Sequence, residues 1–382
     1  MVQKTWMFSL CLLFAASVLV SCSRNRQGEE ASEIVIGEFG SLTGTTATFG
    51  ISTKNGIDMA VDEVNQAGGL LGKKVRVIVE DDQGRPEEAQ TVVTKLITRD
   101  RVVAILGEVA SSRTLAAAPV AQQNGIPMIS PSSTNPKVTQ VGDYIFRICF
   151  IDPFQGLVMA KFATSTLKVQ NVAVLRDIKN DYSVGLANVF VENFVQMGGK
   201  IVADESYSEG DTDFSAQLTA LRATKPQAIF VPGYYTEVGL IARQAKNLGL
   251  TVPLLGGDGW DSPKLWEIGG EALNGSYYSN HSSMDDPNPV IQEFVTEYKA
   301  RFNEVPDALA ALGFDSAKVL FDAIRRANSM EPAKIRDAIA QTRDLPGVTG
   351  SITLDQERNA IKPAVVLRVQ NGKLEYVESV SP

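Results

Sequence analysis

Histidine is almost absent: the 382 residues contain one, His281. Zinc sites are built largely from histidine and cysteine, so a clustered zinc centre is excluded, and neither a metal nor a cofactor is expected. Cysteine is nearly as scarce, at three. Cys11 and Cys22 lie near the N-terminus, which leaves Cys149 alone in the body of the chain. A lone cysteine cannot close an internal disulfide and reads as a small buried apolar residue. No run of five like charges occurs, and the net charge is −8. Nucleic-acid binders carry a basic stripe, and this chain has none. No apolar run is long enough to cross a bilayer, which takes about 20 residues; the longest runs from Met7 to Val20. The dinucleotide-binding spacing Gly-x-Gly-x-x-Gly is missing after the first strand, where Gly40-Ser41-Leu42-Thr43-Gly44 stands instead. No Gly-x-Ser-x-Gly elbow surrounds a serine. Asp81 and Asp82 are adjacent in a strand and point to opposite faces, so they do not form a catalytic pair. Turnover would rest on His281, in the polar stretch Asn280-His281-Ser282-Ser283, and a surface or hinge-side role is expected for it. The chain is not expected to be an enzyme.

What is present begins with the compartment. Lys4 and the apolar run Met7 to Val20 have the layout of a secretory signal. The run ends in Leu19-Val20-Ser21-Cys22, which resembles the bacterial lipobox, whose cysteine becomes the lipidated first residue after cleavage. Residues 1–21 are therefore expected to be a lipoprotein signal peptide, with Cys22 lipidated and 22–32 a polar tether. The mature chain is expected outside the cytoplasm, held at a membrane by lipid, on the periplasmic or cell-surface side.

From Glu33 onward, strand-like runs alternate with amphipathic helices. Ile34–Ile36, Val75–Val79, Val102–Leu106 and Pro127–Ile129 read as strands. So do Val172–Leu175, Lys200–Ala203, Ala228–Val231 and Pro253–Leu255. Between them, Ile57, Ala60, Val61 and Val64 mark one helix face, and Ala89, Val92, Val93, Leu96 and Ile97 another. Longer helices follow near Pro289–Phe302 and Asp307–Ala327, then a strand at Ala364–Val369. Alternating units imply parallel sheets with helices on both faces. The hydrophobic fraction of 44% is ample for two cores.

Ligands of open α/β sheets bind beyond the carboxyl ends of the strands. Ser111 and Ser112 fall there at a helix start, where free N–H groups suit a carboxylate, or where a serine simply caps. Ser130-Pro131-Ser132-Ser133-Thr134-Asn135-Pro136 is a stiff polar loop that either binds a ligand or satisfies its own backbone. Asp258, between glycines after Leu254-Leu255, suits a ligand ammonium or an Asx turn.

At these residues the chain resembles the periplasmic branched-chain amino-acid binding proteins of ABC transporters, the leucine/isoleucine/valine-binding type. The likeness spans about Glu33 to Val369. It rests on Ser41-Leu42-Thr43-Gly44, Asn65-Gln66-Ala67-Gly68-Gly69, Asp81-Asp82, Met128-Ile129-Ser130-Pro131-Ser132, Gly233-Tyr234 and Ala311-Leu312-Gly313-Phe314-Asp315. It implies the type I periplasmic-binding-protein fold, with two doubly wound parallel-sheet lobes joined by crossing hinge strands. Lobe one would be 33–151 plus 281–357, and lobe two 152–280 plus 358–382. The resemblance implies that Ser111 binds a ligand carboxylate and that Thr134 and the Ser132 backbone contact both carboxylate and ammonium. It gives the ammonium to Asp258, second-lobe contacts to Tyr182 and Tyr234, and a place near the side-chain pocket to Phe49. A disulfide found in some members is missing, since its places hold Gly84 and Ala110. Asp258 is one methylene shorter than the glutamate of some members, and Arg113 and Trp260 nearby argue against a plain leucine pocket. The implied function is an extracytoplasmic solute-binding lipoprotein of an ABC importer, a monomer that closes on an aliphatic amino acid and docks on a membrane permease. The alternative is a ligand-sensing receptor of the same fold for amides, urea-like solutes or aromatic carboxylates; a hydrolase comes last.

Overall fold

Two β-sheets organise the molecule, and the chain completes one before starting the other. The computed structural model describes residues 33–382, so the expected signal, Cys22 and the tether lie outside the described residues. The first sheet takes β1 (Glu33–Gly40), β2 (Lys74–Asp81), β3 (Ile105–Leu106), β4 (Met128–Ser130) and β5 (Ile145–Arg147) in the order β2-β1-β3-β4-β5. Between them run α1 (Ala47–Gln66), α2 (Pro86–Thr98), α3 (Ser111–Gln123) and α4 (Lys137–Gln140). The pairings β1–β3, β3–β4 and β4–β5 are parallel. Strands β3, β4 and β5 are short and buried throughout, as expected of parallel strands covered on both faces.

The chain then passes through α5 (Asp152–Lys161), which continues as a π-helical segment over Phe162–Thr166, and builds the second sheet. Its elements are β6 (Asn171–Asp177), α6 (Asp181–Gln196), β7 (Lys200–Tyr207), α7 (Ser215–Ala223), β8 (Ala228–Phe230), α8 (Tyr235–Asn247), β9 (Leu254–Gly256), α9 (Pro263–Gly269) and β10 (Ser276–Asn280). Three helices follow: α10 (Pro289–Phe302), α11 (Ala308–Ala327) and α12 (Pro332–Ala340). The chain ends in the hairpin β11 (Ala364–Gln370) and β12 (Lys373–Val380), which joins the second sheet in the order β12-β11-β10-β9-β8-β6-β7. Here the structure departs from the all-parallel expectation, because β10–β11 and β11–β12 are antiparallel. A hairpin needs no crossover helix, so it extends an otherwise parallel sheet at its edge.

Local chemistry marks the helix ends. Asp307 accepts from Ala310 N at 2.9 Å, and Asn288 accepts from Val290 N at 3.0 Å, each capping a helix start. Asn303 (φ 56°) and Asn328 (φ 46°) take the left-handed turn that ends α10 and α11. The late helices rejoin the first sheet. α11 lies against α1, and the two backbones approach so closely that a Cβ on Gly56 would sit 1.9 Å from Ala310 O, and one on Gly313 2.3 Å from Thr53 O. Gly56→Ala is expected to destabilise the protein by about 1–3 kcal/mol through overpacking, read as a lower urea midpoint with an unchanged slope.

Candidate functional site

Three strand-end loops converge where the two sheets face one another. After β3, Ala110 rather than a serine occupies the N-cap of α3, and no side chain caps the helix. The simple-cap reading of Ser111 therefore gives way. The first helical bond is Thr114 N to Ala110 O at 3.1 Å, so the N–H groups of Ser111 to Arg113 have no helical acceptor. Ser111 Oγ accepts from Asn135 N at 3.2 Å, which leaves its own proton to donate elsewhere.

The loop after β4 divides its hydroxyls between two tasks. Ser130 Oγ donates to Glu108 O at 2.7 Å and accepts from Ser133 N at 2.9 Å. Ser133 Oγ lies 3.0 Å from both Glu108 O and Val109 O. From beneath, the buried Arg147 donates to Ser133 O at 2.6 Å, Asn135 O at 2.8 Å and Pro136 O at 3.1 Å. Ser130 and Ser133 thus hold the loop in shape. Ser132 turns towards the second half of the molecule, and the buried Thr134 hydroxyl lies beside the Asp152 carboxyl.

Asp258 opens a short 3-10 turn after β9. Its Oδ1 accepts from Gln155 Nε2 at 2.8 Å. Its Oδ2 lies 3.0 Å from His281 Nε2 and 3.3 Å from Ser132 Oγ. The flanking glycines serve close approach, since a Cβ on Gly257 would sit 2.5 Å from the Tyr182 hydroxyl. That hydroxyl accepts from Gly259 N at 3.1 Å. Tyr182 stacks on Tyr234 at 5.4 Å, and Phe49 meets Tyr234 edge-on at 5.3 Å. Burial pushes both phenols well above their ordinary value, so they act as hydroxyl donors and acceptors rather than as phenolates.

These residues line one small, partly open pocket. Six of the seven sequence-predicted residues line it: Phe49, Ser111, Ser132, Tyr182, Tyr234 and Asp258. Thr134 does not; its carbonyl accepts from Asp152 N at 3.0 Å. Val109, Gly259 and Leu309 complete the lining. Leu309 arrives on α11, 51 positions beyond Asp258, and no local pattern could have assigned it. Gln155 was equally invisible, a buried glutamine in an otherwise ordinary helix.

Two expectations need correction. Trp260 does not face the cavity: its indole Nε1 donates to Val231 O at 2.9 Å and the ring is fully buried. His281 is no surface residue. It is 3% exposed, stacked on Phe150 at 3.9 Å, and bonded to Asp258. A Ser-His-acid relay needs the acid on Nδ1 and the serine on Nε2. Here Ser132 and Asp258 both face Nε2, so the relay geometry is not formed. Asp81 and Asp82 diverge as expected. Asp81 accepts from Leu42 N at 2.9 Å and Thr43 Oγ1 at 2.7 Å, while Asp82 accepts from Ser41 Oγ at 2.9 Å.

Behind Ser111 lies a buried charge cluster. Arg113 Nη1 donates to Thr46 Oγ1 at 2.9 Å and Ser41 Oγ at 3.2 Å and lies 3.8 Å from Glu108 Oε1. Its Nη2 reaches across to Glu209, beyond β7 of the second sheet, at 2.7 Å. Ser41 Oγ is 2.9 Å from both Asp82 Oδ1 and Glu108 Oε1. One hydroxyl proton cannot serve both, so a carboxyl supplies the other. Consistently, burial and then the Asp82 carboxylate push Glu108 from 4.5 up to about 8. Further bonds tie the halves together, among them Thr48 Oγ1 to Ser262 Oγ at 2.8 Å and Asp181 N to Ser112 Oγ at 2.8 Å. Cys149 is buried and free, its thiol pushed up to about 12 by burial.

The sequence model of a family described as periplasmic binding protein matches residues 33–373. This chain belongs to the periplasmic binding protein family. Among relatives within it, a Leu/Ile/Val-binding protein of Rhizobium johnstonii is 32% identical over 84% of this chain and 87% of its own length. Among solved structures of such proteins, a leucine-binding protein from Thermotoga maritima is 42% identical with a TM-score of 0.88, covering 91% of this chain and 99% of that one. A branched-chain amino-acid transporter substrate-binding protein from Streptococcus pneumoniae, solved with isoleucine, is 36% identical with a TM-score of 0.87, covering 92% and 100%. The type I periplasmic-binding-protein fold expected from the sequence is thereby borne out.

Proposed function

We propose that this chain is the extracytoplasmic solute-binding lipoprotein of an ABC importer, anchored through Cys22, and that it takes an aliphatic, branched-chain α-amino acid. One observation carries the reading: the open N-terminus of α3 and the Asp258 carboxylate lie on opposite halves and line one pocket. The helix N-terminus, with the Ser111 hydroxyl, suits the α-carboxylate. Asp258 suits the ammonium. Phe49, Val109 and Leu309 offer an apolar surface to the side chain, and Tyr182, Tyr234 and the Ser132–Thr134 loop complete the polar contacts. The lobes are 33–151 plus 281–357 and 152–280 plus 358–382, in line with the strands each sheet recruits. A ligand bridging both walls stabilises the closed form by its differential affinity for it. The closed protein then docks on a membrane permease. Relatives named for leucine, isoleucine and valine support the ligand class.

Thermal unfolding of the protein lacking residues 1–22, with a panel of solutes, tests this. A ligand at about 1,000 times its Kd stabilises by about 4 kcal/mol, so L-leucine, L-isoleucine or L-valine should raise the melting temperature by several degrees. Equal stabilisation by 4-methylpentanoate, which lacks the amine, would remove Asp258 from its role.

A further inference from the structure

His281 does not line the cavity, yet it touches the group that most determines what the cavity accepts. It follows β10 directly, where the chain leaves the second sheet for α10. Its position is well defined: its N–H donates to Asn280 Oδ1 at 2.8 Å, its ring stacks on Phe150 at 3.9 Å, and it is 3% exposed. Nε2 lies 3.0 Å from Asp258 Oδ2, and Nδ1 is buried with no partner.

Those two nitrogens decide the tautomer. A carboxylate only accepts, so the nitrogen facing it must carry the hydrogen. The opposite tautomer would aim an Nε2 lone pair at the carboxylate and bury an Nδ1–H with nothing to receive it, the costlier error. Nε2–H therefore donates to Asp258.

Counting acceptor sites gives the consequence. A carboxylate offers about four lone-pair directions. Gln155 fills one on Oδ1, while His281 and Ser132 crowd Oδ2. The remaining direction is on Oδ1. Two of these donors, Gln155 and His281, come from outside the cavity lining and fix the rotation of the carboxylate. Without the His281 bond, the carboxylate can rotate away from the direction an incoming N–H requires.

We propose that His281 is a positioning residue which, through Nε2–H to Asp258 Oδ2, fixes the acceptor direction that selects ligands carrying an α-amine. This rests on the reading of Asp258 as the ammonium partner. The test compares two polar replacements that differ in reach. A glutamine amide nitrogen reaches the place of Nε2, and an asparagine amide nitrogen only that of Nδ1. Affinities for L-leucine and 4-methylpentanoate are measured by calorimetry. His281→Asn is expected to weaken L-leucine on the order of tenfold or more, as for the loss of a hydrogen bond to a charged group, and to leave 4-methylpentanoate nearly unchanged. His281→Gln should recover most of the preference for the amine. Equal losses for both ligands in His281→Asn, an unmoved ratio, or no recovery in His281→Gln would overturn the proposal. Wild-type protein that does not bind L-leucine would overturn the proposed function itself, which is a separate result.

Discussion

Asp258→Asn is expected to lower L-leucine affinity on the order of 100-fold or more, by loss of a buried charged partner worth about 2–5 kcal/mol. Asp258 is 5% exposed, so an ammonium placed beside it without that charge stays largely desolvated and unpaired. A smaller second effect is built into the site. An asparagine has one acceptor oxygen, while Gln155 and His281 each donate to a different oxygen of Asp258. One of them must then face the new NH₂ group, which loosens the turn for every ligand. The informative quantity is therefore a ratio: the loss for L-leucine divided by the loss for 4-methylpentanoate, both by calorimetry. A ratio near one would mean that Asp258 only shapes the turn. A large ratio would mean that it reads the amine.

Arg113→Met should be the most damaging change to stability, at about 3–5 kcal/mol, because it leaves buried carboxyl groups without their cation. Arg113 is 2% exposed and faces Glu108, Glu209 and Asp82. The pH dependence identifies the cause. Glu108 is already raised to about 8 in the folded protein, against 4.5 ordinarily. For a carboxyl whose folded value is raised, the stability tied to its protonated form is complete below the ordinary value and is lost as pH rises through the folded one. Arg113 opposes that rise, so its removal lifts the folded value further and the added deficit falls on the alkaline side. Urea unfolding of wild type and variant should differ more at pH 8.5 than at pH 5.5. A deficit of the same size at both would mean that lost packing, not lost charge, dominates. Because Nη2 also spans to Glu209, the variant should bind ligand more weakly as well: one cross-half bond of the closed form is gone.

Much of the architecture was legible because its signals are local. The apolar faces of α1 and α2 follow the helical period in consecutive residues, and the central strands are unbroken apolar runs, as burial on both sheet faces demands. β10 and α12 escaped notice. β10 is Ser-Tyr-Tyr-Ser-Asn, polar in composition, and its burial comes from β9 and β11 on either side. α12 is nine residues of mixed character, with too few turns to establish a period. The site divides in the same way. Ser111 and Asp258 were visible as polar residues at strand ends, and the doubly wound topology brings such ends together.

Taken as a string of residues, the chain determines its alternating layers and offers the polar strand-end side chains from which a zwitterion site is proposed, because each depends on neighbours a few positions apart. Folding in three dimensions decides what those side chains face. It turns Ser130 and Ser133 inward as struts and Ser132 outward, withdraws Trp260 into the core, brings Leu309 to the cavity, and buries the single histidine against Asp258. The reason is distance along the chain: Ser132 and His281 are 149 residues apart and their polar atoms meet at 3.3 Å. Only the packing of one half of the molecule against the other determines such an encounter, and no local sequence pattern records it.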